Sequence, residues 1–186
     1  HNMTITVAGA CMLWVGWFGF NAGSALAADG AAGMAMIVTH IGAATGAFAW
    51  MICEWLRYGK PSALGVVTGM VAGLGTITPA SGFVGPVGAL VIGAAAGVAC
   101  FFATNFMKRA LNVDDSLDVF PVHGVGGFLG TLLTGILVSS TFGGIGYPDK
   151  VTMGEQFMIQ LIGVVATAVW SGVLTWILVK LVDAIA

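Results

Sequence analysis

The sequence predicts an all-α fold, a polytopic transmembrane helix bundle with six spans. Of the 186 residues, 58% are hydrophobic and 8% are charged, whereas soluble domains carry about 25% charged residues. The mean hydropathy is +0.99. Glycine, which lets helices approach closely in lipid, supplies 29 residues. Lipid must therefore form most of the surroundings of this chain, and we expect it in a cell membrane.

The same composition argues against several other classes of protein. The formal net charge is -2, so no basic face is available to neutralise the phosphates of a nucleic acid. The three cysteines lie in separate apolar stretches and form no cluster with histidine, so the sequence indicates neither a metal site nor a cofactor. The sequence contains no Ser/His/Asp order, phosphate-binding loop or H-E-x-x-H motif, and it therefore does not indicate an enzyme.

The first two spans follow from uncharged stretches, since about 20 apolar residues cross a bilayer as a helix. Residues 4–28 carry no charge and predict the first span. The second covers 30–53 and is followed by the aromatic and charged segment 54–58, which is typical of a membrane–water interface. Because the chain opens beside a hydrophobic run without a basic leader, we expect an internal piece of a longer protein.

The remaining four spans are separated by turn signals and charged loops. The uncharged run 61–107 is too long for one crossing, and the turn signals around Pro79 and Pro86 divide it. All spans are predicted to be α-helical, because an unpaired backbone in lipid costs several kcal/mol per group. The later spans are 63–78, 87–107, 119–139 and 156–179.

Lysine and arginine predict the orientation of the bundle. Five of the six basic residues lie after even-numbered spans, and Lys150 is the exception. By the positive-inside rule, the loops 54–61 and 108–117 and the C-terminus are expected in the cytoplasm. The first span then runs outward and carries Ser24 to the outer surface.

His123 is the first candidate functional residue, because an ionisable group within a span indicates a function by default. Gly127 and Gly130 follow at i+4 and i+7, where an α-helix would place them on the face of the imidazole. This arrangement favours a narrow pore wall or a cofactor slot. A packing histidine, hydrogen-bonded to a backbone carbonyl, is the alternative.

His40 also lies within a span and opens a rival interpretation, in which it and His123 ligate a haem or a metal between helices. With one histidine per helix and no carboxylate near either, the pattern gives this reading little support. His40 is expected instead to make a helix–helix contact.

The outer end of the first span combines aromatic rings with polar groups. Trp17 and Phe20 lie beside Asn21 and Ser24, which are spaced at i and i+3. Hydrogen-bonding groups next to aromatic faces suit a small cation. An aromatic belt at the membrane surface is the alternative. The acidic residues Asp114, Asp115 and Asp118 precede the fifth span and are expected to cap it.

Six motifs together resemble the C-terminal half of the ammonium transporter (Amt/Mep/Rh) family. Their order and spacing along the whole chain make the resemblance specific. They are H-N at 1–2, G-W-F-G-F-N-A-G-S at 16–24, E-W-x-x-x-G-K-P at 54–61, I-T-P-A-S-G at 77–82, D-V-F-x-V-H-G-V-G-G at 118–127 and W-S-G at 170–172.

The resemblance implies that residues 1–186 are the C-terminal part of a single transmembrane domain, with helices six to eleven of eleven, in a homotrimer with one pore per subunit. Substrate would be ammonium or ammonia, with methylammonium as an analogue. A PII-type regulatory protein or a fused cytoplasmic signalling domain is a possible partner on the inner side. An ammonium sensor that conducts little is the alternative to a transporter.

The resemblance also assigns roles to individual residues. His123 would be one of two facing pore histidines. Pro121 stands where the family usually has glycine. Trp17 and Asn21 would support the outer vestibule. The expected pore residues are Ser24 as vestibule hydroxyl, Phe20 as one gate ring, Val119 as pore wall, Thr78 near the outer pore, and His123.

Overall fold

The computed structural model describes residues 2–185, so that His1 and Ala186 lie outside it. Within this range the chain forms six membrane-length helical segments, which confirms the predicted all-α bundle. The helices are α1 (Met3–Gly23), α2 (Gly30–Tyr58), α3 (Ala63–Ile77), α4 (Pro86–Arg109), α5 (Gly126–Leu137) and α6 (Met153–Ile185). Short 3₁₀ turns cover Thr78–Ala80 and Ser140–Phe142, and a π-helical turn covers Phe120–Val125.

The helix ends differ from the predicted spans where local capping decides them. The first helix ends at Gly23, five residues before the predicted end, because the chain turns there. Asp29 then caps α2, since its Oδ1 accepts hydrogen bonds from the N–H groups of Ala31 and Ala32. α2 continues through the interfacial residues and ends at Tyr58. Gly59 follows as the C-terminal cap, with a left-handed φ of 77° that only glycine adopts freely. α6 is longer than predicted, with 33 residues.

The centre of the bundle is a close packing of α2, α3 and α4 at glycines. A Cβ built on Gly97 of α4 would lie 2.6 Å from the carbonyl oxygen of Gly46, and one built on Gly73 of α3 would meet the carbonyl oxygen of Gly42. Glycines on all three helices therefore form this interface. Lipid offers no hydrophobic drive for helix association, so close backbone contact must supply the attraction.

The loops after α2 and α4 lie together at one end of the bundle. The Arg109 guanidinium donates a hydrogen bond to the hydroxyl of Tyr58 at 3.3 Å and lies 5.7 Å from the centre of its ring. The same hydroxyl donates to Oδ1 of Asn105 at 2.6 Å. We call this the basic end, since it also holds Lys108; Ser24 lies at the opposite end, one helix length away along α1.

The fifth span begins with a π-helical turn, where a continuous α-helix was predicted. Phe120–Val125 is π-helical and Gly126–Leu137 is α-helical. The wider turn contains one residue more than an α-helical turn. Side chains after the turn are therefore rotated about the helix axis by about 100° relative to those before it. Because His123 lies inside this turn, residues beyond the turn need not keep the positions that regular α-helical spacing predicts.

We expect the substitution Gly73→Ala to lower the stability of the protein by about 1–3 kcal/mol, because the added methyl group overlaps the backbone of α2. The measurement is thermal unfolding of the purified protein in detergent. Gly33→Ala in α2 is the matched control, since a Cβ there meets no atom of the described residues within 4 Å. It should change stability by no more than about 1 kcal/mol, in the stabilising direction. Equal effects of the two substitutions would contradict the packing described above.

Candidate functional site

The imidazole of His123 lies where two clefts meet. One cleft, of about 360 Å³, extends toward the end that holds Ser24 and is lined by Thr78 of the 3₁₀ turn and by residues of α5 and α6. The other, of about 350 Å³, extends to the basic end and is lined by Thr6, Thr68 and Lys108. His123 lines both, and its side chain is exposed in this chain. A ring packed into solid protein, the alternative weighed on the sequence, is not what the structure contains.

One of the two glycines near His123 lies where the sequence pattern predicted, and the other does not. Gly127 lines the first cleft, and a Cβ there would meet nothing within 4 Å. Gly130 instead makes room for the backbone of α3, because a Cβ on it would meet the carbonyl oxygen of Thr76. Thr131, at i+8 from the histidine, takes the cleft-facing position that was predicted for Gly130 at i+7. The extra residue in the π-helical turn accounts for this shift of one position.

Trp17 and Thr78 are joined directly. The indole Nε1 of Trp17 donates a hydrogen bond of 2.7 Å to the hydroxyl of Thr78, which itself donates to the carbonyl oxygen of Leu74 at 2.8 Å. This chain of bonds fixes the indole of α1 against the first turn after α3. Since Thr78 also lines the first cleft with His123, Trp17 is placed at the margin of that cleft.

Phe20 lies next to Trp17 on an exposed apolar face of α1. The two rings meet edge to face, with centroids 6.5 Å apart, and Phe20 is 64% exposed. Gly9, Met12 and Gly16 form a shallow groove on the same face. Within the described chain, this face of α1 has no helix packed against it at Phe20.

The two polar residues at the end of α1 have different surroundings. Ser24 is exposed, and its hydroxyl donates to the carbonyl oxygen of Phe20 at 2.7 Å, which leaves the hydroxyl oxygen free to accept. Asn21 is 4% exposed, and its amide donates to the hydroxyl of Thr39 on α2 at 2.9 Å. Asn21 therefore connects α1 to α2 and supports the position of Ser24 from within the protein.

Val119 lies apart from the residues that line the two clefts. Its side chain is 52% exposed, and its backbone N–H donates to Oδ1 of Asp115 at 2.9 Å. Asp115 also accepts from the N–H of Phe120 at 2.8 Å and thus caps the fifth span. Desolvation acts to raise the pKa of the Asp115 carboxyl, but these two N–H groups and the nearby Lys108 outweigh it and hold that pKa below its ordinary value.

His40 is placed on a different helix interface from His123. Its ring lies against Trp14 and Phe18 of α1, with centroid distances of 5.1 and 6.0 Å, which is the helix–helix contact expected from the sequence. Neither cleft at His123 is lined by a residue of α2, so the described structure does not bring the two histidines into one site. Among the described residues, no group of three or more His, Cys, Asp or Glu side chains is arranged to hold a metal ion.

Several lining residues were not singled out from the sequence. Gly75, Thr131 and Thr167 line the first cleft, and Thr68 lines the second. Threonine within a span is common because its hydroxyl bonds the preceding turn, as Thr131 does to the carbonyl oxygen of Gly127. A threonine in a span therefore does not by itself indicate a cleft. The spacing across a π-helical turn would have indicated Thr131.

Comparisons with known proteins agree on one family. The model of the "Ammonium Transporter Family" matches residues 1–186. The ammonium transporter of Aquifex aeolicus is 44% identical over 190 residues, which cover 100% of this chain and 44% of that protein. Ammonium transporter Amt1 of Archaeoglobus fulgidus is 44% identical over 185 residues, covering 99% of this chain and 46% of that protein.

Solved structures show the same likeness in three dimensions. The crystal structure of Saccharomyces cerevisiae Mep2 superposes with a TM-score of 0.88 at 38% identity, covering 99% of this chain and 45% of Mep2. A sensor Amt protein gives a TM-score of 0.87 at 32% identity, covering 97% of this chain and 44% of that chain. The chain thus spans less than half the length of these relatives.

We expect Trp17→Phe and Thr78→Val to be energetically coupled by about 1 kcal/mol, because their hydrogen bond joins α1 to the turn after α3. A double-mutant cycle on thermal stability measures this coupling. Thr131→Val is the matched control partner, since its hydroxyl bonds within its own helix. The Trp17→Phe and Thr131→Val pair should be additive, and additivity of the Trp17 and Thr78 pair would contradict the bond.

Proposed function

We propose a transport function from the premise that this chain belongs to the ammonium transporter family. The chain forms one half of a pore that carries ammonium or ammonia across a cell membrane. His123 lies in the wall of this pore. The observation that carries the proposal is the position of the imidazole at the meeting point of two clefts that extend to opposite ends of the bundle. A residue in such a position contacts whatever passes between the two ends.

The surroundings of His123 favour neutral ammonia over its conjugate acid at this depth. The clefts are lined largely by glycine, valine, leucine and threonine, and an ion among such groups loses many kcal/mol of hydration. Ammonia loses little. A neutral imidazole donates a hydrogen bond through one ring nitrogen and accepts one through the other. It can therefore guide ammonia by hydrogen bonds or relay the proton that ammonium gives up.

Recruitment of the cation is assigned to the end of α1. The free acceptor of the Ser24 hydroxyl can take a hydrogen bond from ammonium, whereas Na⁺ and K⁺ have no proton to donate. The edge-to-face rings of Phe20 and Trp17 lie about one and two turns deeper, where they can contribute cation–π attraction. Phe20 then serves as one ring of a gate, and Thr78 holds Trp17 in place. Val119 remains assigned to the pore wall on the motif resemblance alone, since it lies outside both clefts.

The exposed face of α1 supports a second half of the pore outside this chain. Phe20 and the groove beside it are apolar and lack a partner within the described residues. Transporters built from inverted repeats place their substrate site between the two halves. The partner histidine, the second gate ring and further vestibule groups are accordingly assigned to the half not contained here, in a protein that assembles as a homotrimer.

The basic end is assigned to the cytoplasm by the positive-inside rule, together with loops 54–61 and 108–117 and the C-terminus. A PII-type regulatory protein or a fused signalling domain would reach the pore from this side. The second cleft opens between Lys108, at the end of α4, and the loop residues Ser116 and Leu117, so such a partner would contact the route that leads to His123.

A sensor is the second candidate function. It is favoured by the likeness to a sensor Amt protein, which is nearly as close in structure as Mep2. The two functions differ in flux, because a sensor binds ammonium while moving little of it. Transport is preferred since the relatives from Aquifex and Archaeoglobus are both named ammonium transporters.

We expect His123→Ala in the full-length protein to lower the maximal rate of methylammonium uptake by about tenfold or more, because a lost hydrogen bond to a charged or polar solute is worth about 1.5–3 kcal/mol. Uptake of labelled methylammonium by cells that lack other ammonium transporters measures the rate. His40→Ala is the matched control, as it removes a membrane histidine that packs on α1. Uptake at the normal rate by His123→Ala would remove this residue from the pore.

We expect Ser24→Ala to raise the methylammonium concentration that gives half-maximal uptake by about tenfold, because the hydroxyl acts when the cation binds. The maximal rate should change little. Ser171→Ala, on the exposed helix α6, is the control and should leave both quantities unchanged. A normal half-maximal concentration in Ser24→Ala would contradict a recruitment role. Binding of methylammonium by the wild-type protein without measurable uptake would favour the sensor.

A further inference from the structure

The turn that leads into the fifth span is held in an unfavourable backbone conformation. Asp118 has a φ of 56°, in the left-handed region that residues other than glycine adopt rarely, although Asp and Asn do so more readily than most. Such a conformation persists only when surrounding contacts hold it. The π-helical turn with His123 begins two residues later, at Phe120.

The contact that holds Asp118 is an ion pair with the end of α4. The ammonium of Lys108 lies 2.7 Å from Oδ1 of Asp118, whose side chain is 16% exposed, while that of Lys108 is 42% exposed. No other donor of the described residues reaches this buried oxygen. A partly buried carboxylate requires such compensation, so Lys108 fixes where the Asp118 side chain, and with it the turn, can lie.

The backbone then transmits this position to the histidine. The carbonyl oxygen of Asp118 accepts a hydrogen bond of 3.0 Å from the N–H of Val122, the residue before His123. A turn that relaxed to an ordinary helical φ would wind the span differently at its start. Since each residue of a helix rotates the chain by about 100°, even one position of slippage would turn the imidazole away from the clefts.

The pair and the histidine also line the same space. Lys108 and Asp118 lie near the basic end of the second cleft, and His123 lies at its inner end. We propose that Asp118 is a positioning residue for His123: its ion pair with Lys108 holds the left-handed turn from which the π-helical turn starts, and thereby sets the direction of the imidazole in the pore. This proposal rests on the proposed function, because it requires His123 to contact the substrate.

The test compares variants that separate the charge from the backbone conformation, all in the full-length protein. Asp118→Asn keeps the volume of the side chain and its tolerance of a left-handed φ, and it removes the negative charge. The turn then loses its ion pair with α4, and no unpaired carboxylate is left buried. Lys108→Met removes the same tie from the other side, and Lys108→Arg keeps it. Arg109→Met is the matched control, because Arg109 contacts Tyr58.

We expect Asp118→Asn and Lys108→Met to lower the maximal rate of methylammonium uptake per molecule of protein in the membrane by about tenfold, since small misplacements of a functional group have effects of this size or larger. The concentration for half-maximal uptake, set at the Ser24 end, should change less than about twofold. Lys108→Arg and Arg109→Met should transport like the wild type. A cryo-EM structure of the Asp118→Asn protein should show the ring of residue 123 turned out of the clefts.

Two results would overturn the positioning role. One is a wild-type maximal rate in Asp118→Asn; the other is a changed half-maximal concentration with an unchanged maximal rate, which would indicate that the pair acts in substrate binding. The proposed function fails separately, through normal uptake in His123→Ala. If His123→Ala abolishes uptake while Asp118→Asn does not, the pore assignment of the histidine stands and only the role of Asp118 is lost.

Discussion

The structure depends on backbone contact between helices at glycine. In lipid, apolar side chains gain nothing by leaving one hydrocarbon environment for another, so helices associate through close packing and polar contacts. Gly46, Gly73 and Gly97 allow α2, α3 and α4 to approach to a separation that any side chain would prevent. This three-helix centre is the rigid frame to which α1 and the fifth span attach. The two clefts lie between the frame and these outer elements.

The proposed function centres on the point where the fifth span departs from regular helix. The π-helical turn relaxes the spacing that an α-helix would impose, and the hydrogen-bonding groups of His123 become available between two clefts. Such turns are frequent at functional sites because they bring a side chain to a face that regular spacing would not provide. The turn is anchored at one side by the Asp115 cap and the Asp118 ion pair, and at the other by Gly130 against α3.

Many apolar residues of this chain are exposed. Phe20 is 64% exposed, and the face of α1 around it has no partner among residues 2–185. α6 has no buried residue over its whole length. A helix that faces lipid and a helix that packs against another apolar segment can have the same composition, so exposure alone does not separate them. The hydrogen bond from Trp17 to Thr78 adds an observation that exposure does not give, because it places the indole beside the first cleft.

The sequence by itself determined the fold class, the six spans and the choice of His123 and Trp17 as candidates, because apolar length and intramembrane polarity are local properties of the chain. Only the tertiary structure decided that Asn21 is buried against Thr39, and that Thr131 takes the place predicted for Gly130. Those outcomes depend on the π-helical turn and on which helix lies opposite. The relative position of two packed helices depends on side chains from distant segments of the chain. The periodicity of one helix therefore does not predict it.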